Sequence, residues 1–136
     1  MKTRSAAYIY SNTEVTDVLT DESVPLNTNG FMRGYISHKE GSKRIHINRR
    51  GIYRVTFIVA TTEPSVFGLL VNDRLASNSL ARTSGPQKAI GQAILQLEDD
   101  DWLEIRNCTG NRVSLDAFAG GAERAVRASI LLNFIE

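Results

Sequence analysis

Apolar and polar residues alternate along this chain with a period of two, in short runs broken by turn formers. No stretch carries the 3.6-residue period of an amphipathic helix, so the pattern predicts strands and an all-β domain. The clearest run covers residues 52–61, where Tyr53, Val55, Phe57 and Val59 share one face and Arg54, Thr56, Ile58 and Ala60 the other. Further strands are expected at 6–11, 13–19, 44–48, 66–71, 74–80, 89–97, 102–107, 112–115 and 126–135. Between them, 21–30 is rich in turn formers (Pro25, Asn27, Asn29, Gly30), and 82–87 reads as a loop around Gly85-Pro86. Asn72-Asp73 is expected to form a tight hairpin turn, and Gly120-Gly121 precedes the last strand. Nine or ten strands of this kind suit a double-sheet jelly roll.

The last strand carries a further clue. Ala128, Ile130, Leu132 and Phe134 share one face, while Leu131 and Ile135 lie on the other with Ser129 and Asn133. An antiparallel strand in a two-layer sandwich should bury one face and wet the other. Here both faces are substantially apolar, and the pattern leaves no helix to cover the second. The first strand, with Tyr8 and Tyr10 opposite Ile9, repeats the feature. A second copy of the chain is the economical cover.

Composition narrows the function classes. The 136 residues suit one domain spanning 1–136, and 42% hydrophobic residues suffice for a core. Sixteen basic against fifteen acidic residues give a formal net charge of +1, which provides no electrostatic footprint for nucleic acid or an anionic membrane. No apolar run approaches the roughly 20 residues of a membrane helix. The basic start, Met1-Lys2-Thr3-Arg4-Ser5, leads into only five apolar residues, too few for a signal-peptide core. The expectation is synthesis in the cytoplasm. The single cysteine, Cys108, excludes an internal disulfide framework.

Gly51-Ile52-Tyr53-Arg54-Val55-Thr56-Phe57 is similar to the Gly-x-Tyr-x-apolar-x-aromatic strand of the complement globular-head and tumour-necrosis-factor-like superfamily. Ala93-Ile94-Leu95-Gln96-Leu97, an acidic turn and Trp102-Leu103-Glu104-Ile105 resemble its penultimate hairpin. The match extends to the bacterial branch that includes the C-terminal domain of BclA, the collagen-like spore-surface glycoprotein. It is carried by Ala7-Tyr8-Ile9-Tyr10, Gly34-Tyr35-Ile36-Ser37-His38, Glu63-Pro64, Val71-Asn72, Gly91-Gln92-Ala93-Ile94, Glu104 to Thr109 and Gly120-Gly121, in the family's order. The chain departs from the family in having Asp100-Asp101 where Gly-Asp is usual, and in containing no Gly-x-y repeat. The resemblance implies a ten-stranded, two-sheet jelly-roll sandwich assembled as a homotrimer, with the sheet that holds the first and last strands facing the three-fold axis. It places Tyr8, Tyr10, Thr56, Ile58, Leu131 and Ile135 at the trimer interface.

Candidate chemistry is thin. His38 and His46 are possible acid–base groups, but His46 reads as decoration on a strand's outward face. Cys108 needs an activating neighbour to be a nucleophile, and sequence proximity to Arg106 and Arg112 supplies none. Asn107-Cys108-Thr109 fits the N-glycosylation pattern, read as chance in a chain showing no export signal. Asp99, Asp100 and Asp101, next to Glu98, are calcium candidates, since hard oxygen ligands suit that ion. The ordinary alternative is an Asp-rich solvated turn. Lys43-Arg44 and Arg49-Arg50 form a small basic patch, read as solvated turn charge. No cofactor is expected. The expected function is non-enzymatic, structural or adhesive, plausible for a protein assembled onto the bacterial spore coat or exosporium, with other surface-layer proteins or glycans as further partners. The alternative is a trimeric ligand-binding module, such as a lectin or phage receptor-binding head, for which Trp102 is the one tryptophan available as a sugar platform.

Overall fold

The computed structural model describes residues 4–12, 17–76, 79–84, 87–115 and 126–136. The chain is an all-β jelly roll, with no helix among the described residues. In chain order the strands are β1 (Ala6–Ser11), β2 (Asp17–Val18), β3 (Thr28–Arg33), β4 (Ile36–Ser37), β5 (Ile45–Ile47), β6 (Gly51–Thr61) and β7 (Ser65–Val71). They continue with β8 (Arg74–Leu75), β9 (Ala81–Thr83), β10 (Gln87–Leu97), β11 (Trp102–Asn107), β12 (Val113–Ser114) and β13 (Ala128–Phe134).

One sheet runs β10-β6-β13-β1-β3 and the other β4-β5-β11-β7-β8, with β9 also on β7. Since β11 occupies one side of β7, β8 and β9 both lie on the other, β8 against Leu70 and Val71 and β9 against residues 65–67. They are one edge strand with an interruption, so each main sheet is five strands wide. The pair β12-β2 forms a separate two-stranded sheet that adds Val18 and Val113 to the core.

The two longest strands dictate the core. Tyr53, Val55, Phe57 and Val59 of β6 are fully buried, as the alternation of the sequence requires, and Ile130 and Leu132 of β13 flank them at matched positions. Against them the second sheet places Ile45, Ile47, Phe67, Leu69, Leu103 and Ile105. The Tyr53 hydroxyl donates to the Arg49 carbonyl at 2.7 Å, so its burial orphans no polar group. Gly91 lies directly across from Phe57, and a Cβ there would sit 2.3 Å from the ring. The glycine therefore makes the space the ring fills.

Ile36–Ser37 forms β4 where no strand was expected, and two longer stretches also differ from the sequence pattern. Residues 28–33, inside and beyond the turn-rich segment, form strand β3. Its turn formers have special work: Asn29 Nδ2 donates to the His38 carbonyl at 2.7 Å, and the Asn29 amide donates to Glu40. Gly30 sits at a bulge in the β1–β3 pairing, where a Cβ would meet the Tyr8 carbonyl oxygen at 2.8 Å. The strand expected over 74–80 stops at Leu75, because Ser79 Oγ folds back onto the Ala76 and Leu69 carbonyls. Pairing resumes at β9, which takes residues 81–83 into the sheet, the last two from the expected loop. Asn72 and Asp73 turn the chain from β7 into β8 with left-handed φ values of 51° and 68°, as a tight hairpin requires. Gly85-Pro86, Gly120-Gly121 and residues 13–16 lie outside the described residues.

Candidate functional site: the outer face of the five-stranded sheet

The face of β10-β6-β13-β1-β3 that points away from the core is assembled by register. One row across the strands reads Gln92, Thr56, Leu131, Tyr8. The next reads Ile90, Ile58, Ser129, Tyr10, Thr28. In the other direction lies Ile94, Arg54, Asn133, Ala6, Arg33. Beyond that, Ile135 donates its amide to the Ile52 carbonyl at 2.7 Å. Tyr8 and Tyr10 stack on each other with ring centroids 5.3 Å apart.

The exposure of this face is unusual for a sheet. Ile90 is 59% exposed, Ile94 66%, Leu131 42% and Ile135 44%. At about 4.8 Å between strands and 3.4 Å per residue, the rows span roughly 20 by 20 Å. Large exposed apolar side chains gathered on one sheet face, here interleaved with Gln92, Thr56, Arg54 and Asn133, point to a contact surface. Every residue expected at a trimer interface, namely Tyr8, Tyr10, Thr56, Ile58, Leu131 and Ile135, falls on this one face. Sequence reasoning missed Ile90 and Ile94. The signal was present, since both alternate against Ala89, Gly91 and Ala93 in β10.

The catalytic candidates stay apart. His46 is exposed on β5, across from Trp102, whereas Cys108 follows the far end of β11, six residues or about 20 Å along. His38 is buried, with Nε2 at 2.8 Å from the Ser42 carbonyl and Nδ1 bonded to Asn29 Oδ1; it ties β3 to the turn at residues 39–42. Cys108 is exposed at the surface, yet partial desolvation by its neighbours pushes its thiol above its ordinary pKa; Arg106 counteracts this and Asp21 adds to it. The sign is clear: a raised pKa leaves less thiolate at neutral pH, and the thiolate is the nucleophile. Cys108 should therefore alkylate with iodoacetamide more slowly than free cysteine at pH 8, with the rate inflecting at a higher pH than it does for free cysteine. A rate at or above that of free cysteine would contradict this.

Asn107 is fully buried, and its Nδ2 donates to the carbonyls of Val18, Leu19 and Asn111 at 2.9, 3.3 and 3.0 Å. The nitrogen that a glycan would need is thus consumed by the fold. At the acidic turn, Asp101 accepts from the Glu98 amide at 2.8 Å and from Asn72 Nδ2 at 2.7 Å, while Asp99 accepts from the Arg50 amide. Asp100 occupies the left-handed region with φ 70°. The carboxylates of Asp99 and Asp101 cap backbone rather than converge, and among the described residues no three His, Cys, Asp or Glu side chains gather as a metal site.

The basic patch is likewise dispersed. Lys43 pairs with Glu22 at 2.8 Å and Arg50 with Glu98 at 3.4 Å. The Arg49 guanidinium lies 5.2 Å from both the Tyr35 and Phe134 ring centroids. Arg44 covers the Trp102 ring at 4.5 Å, so this tryptophan is no open platform for a sugar. A polar network that the sequence reading did not find lies on the outer face of the second sheet. Buried Glu104 accepts from Arg106 at 2.8 Å, Arg44 at 3.3 Å and Ser23 at 3.2 Å, and Arg106 also reaches Asp73 at 2.9 Å. It lines a cavity of about 320 Å³. Glu22, Asp73 and Glu104 each already hold a cation there, and the network pins residues 21–24 against β11.

No protein-family model and no curated protein matches this sequence. Solved structures do match its fold. The globular domain of zebrafish complement 1qA protein superposes with a TM-score of 0.70 at 14% identity, covering 98% of both chains. Eiger TNF from S. frugiperda gives 0.65 at 15% identity over 99% of this chain and 94% of that one. Murine APRIL, in its structure at pH 8.5, gives 0.65 at 12% identity over 96% and 99%. At these identities the likeness establishes the architecture: the chain has the jelly-roll fold of complement globular heads and tumour necrosis factors.

Proposed function

We propose that this chain is a non-enzymatic module that assembles as a homotrimer through the outer face of its five-stranded sheet, and that the trimer serves a structural or adhesive role on a bacterial spore surface. The observation that carries the assembly is the placement of Leu131, Ile135, Ile90 and Ile94, all large, apolar and exposed, on one face of this sheet. Exposed apolar side chains gathered on one face are what an interface between subunits buries. The trimeric state is supported by the sequence resemblance to the complement globular-head and tumour-necrosis-factor superfamily and by the shared fold. The spore-surface role rests on the resemblance to the BclA branch, with surface-layer proteins or glycans as further partners. The sugar-binding alternative is the weaker reading, because Arg44 occupies the Trp102 face.

Light scattering behind a sizing column tests the assembly. The expected mass is three times the 15.0 kDa of the chain. A monomer would mean that the apolar face stays wet, and the reading would fall. Immunogold labelling of sporulating cells tests the location, with label expected on the outermost spore layer and not in the cytosol of vegetative cells.

A further inference from the structure

Among its described outward positions the outer face of the five-stranded sheet carries cations and no carboxylate: Lys88, Arg33 and Arg54 on the strands, with Arg4 and Arg127 just beyond the starts of β1 and β13. Lys88 stands at one end of β10 and Arg33 on the edge strand β3, where both can stay hydrated. Arg54 does not stand at the margin. Its row places Ile94 beside it on β10 and Asn133 on β13, while Ile52 and Thr56 precede and follow it on the same face of β6. Its guanidinium has no hydrogen-bond or ion-pair partner among the described residues.

This inference rests on the assembly reading above. Closing an apolar face over an unpaired charge is strongly unfavourable unless a counter-charge is taken in with it. The described positions of the face have none to offer, and a second copy of the same face brings another Arg54. In the acidic turn after β10, Glu98 and Asp99 hold Arg50 and Asp101 caps its own turn, which leaves Asp100 as the one carboxylate there that a neighbouring copy could offer. We propose that assembly takes up a small oxyanion of the phosphate or sulfate class, held by the Arg54 guanidinium groups of the associated copies. A guanidinium presents paired N–H donors that match such an anion, and binding inside a water-poor interface strengthens the match.

The consequence is a linkage. A ligand bound only by the assembled state raises the association constant in proportion to its concentration once above its dissociation constant, about tenfold per decade for each anion taken up. The test is sedimentation equilibrium of the full chain across a series of inorganic phosphate concentrations, with chloride holding ionic strength constant so that screening is unchanged. If the trimer is too tight to dissociate, the series is run at a fixed sub-denaturing urea concentration. The expected slope of log association constant against log phosphate is between one and three, falling to zero in Arg54→Gln. A trimer with zero slope in the wild type overturns the anion site. So does a phosphate-independent trimer that Asp99→Asn with Asp100→Asn weakens, since the neighbour's carboxylates would then neutralise Arg54. A chain monomeric at every phosphate concentration removes the assembly reading itself, an outcome distinct from zero slope.

Discussion

Phe57→Ala should cost about 3–5 kcal/mol of stability, the range for deleting a fully buried aromatic side chain. The ring is fully buried at the centre of β6, between Gly91 of β10 and Ile130 of β13. A domain of this size holds about 5–15 kcal/mol in total, so the variant should lose a large share of its stability and unfold at a much lower urea concentration. Urea denaturation followed by tryptophan fluorescence and circular dichroism measures it, using wild-type and variant chains at one concentration. The complementary change has an instructive sign. Gly91→Ala alone puts a methyl 2.3 Å from the Phe57 ring and should cost about 1–3 kcal/mol by overpacking. In the Phe57→Ala background the same methyl enters the vacated space, so its cost should shrink or reverse. A double-mutant cycle with no coupling between the two positions would show that the ring does not pack against Gly91 as described.

That pair illustrates how the fold could be read before it was seen. Large apolar groups at every second position of residues 53–59 left only one choice of inward face, whereas the last strand is apolar on both sides and only its register on β6 turns Ile130 and Leu132 inward. Gly91 read as a family motif residue, while its physical role became visible only once register placed it opposite Phe57. Strand β3 was hidden because Asn27, Asn29 and Gly30 are turn formers by local preference. Tertiary partners, the His38 carbonyl for Asn29 and the Tyr8 carbonyl beside Gly30, outweighed that preference. The interruption between β8 and β9 depends on Ser79 reaching carbonyls ten and three residues away, which no alternation pattern encodes.

The candidate site divides along the same line. Tyr8, Tyr10, Ile58 and Leu131 could be assigned to one surface because strand parity is a local property, and the register then placed them in adjacent rows. The fate of the charged residues was not local. Glu104 and Arg106 occupy alternate positions of β11, yet their pairing with Arg44 and Ser23 joins segments 60 and more residues apart. The acidic turn looked like an ion site because four carboxylates follow one another, but two of them are spent on the backbone amides of Glu98 and Arg50. Composition counts charges without knowing which ones the fold has already neutralised.

The same parity argument makes Leu131→Asp the decisive variant for the assembly. Leu131 lies mid-row between Thr56 of β6 and Tyr8 of β1, and its side chain points away from the core. In an isolated chain the substitution exchanges one exposed group for another and should change stability by no more than about 0.5 kcal/mol. In a trimer closed over this face it buries a carboxylate in every copy, at several kcal/mol per charge, far more than the contact can absorb. The variant should therefore elute and scatter as a monomer while keeping a native β-sheet circular dichroism spectrum. His46→Asp, on the outer face of β5 in the other sheet, serves as the control and should leave the mass unchanged. A Leu131→Asp chain that remains trimeric would place the contact elsewhere on the molecule. One that unfolds instead of dissociating would mean that the folded monomer depends on its neighbours, and the milder Leu131→Ser would then separate loss of contact from loss of fold.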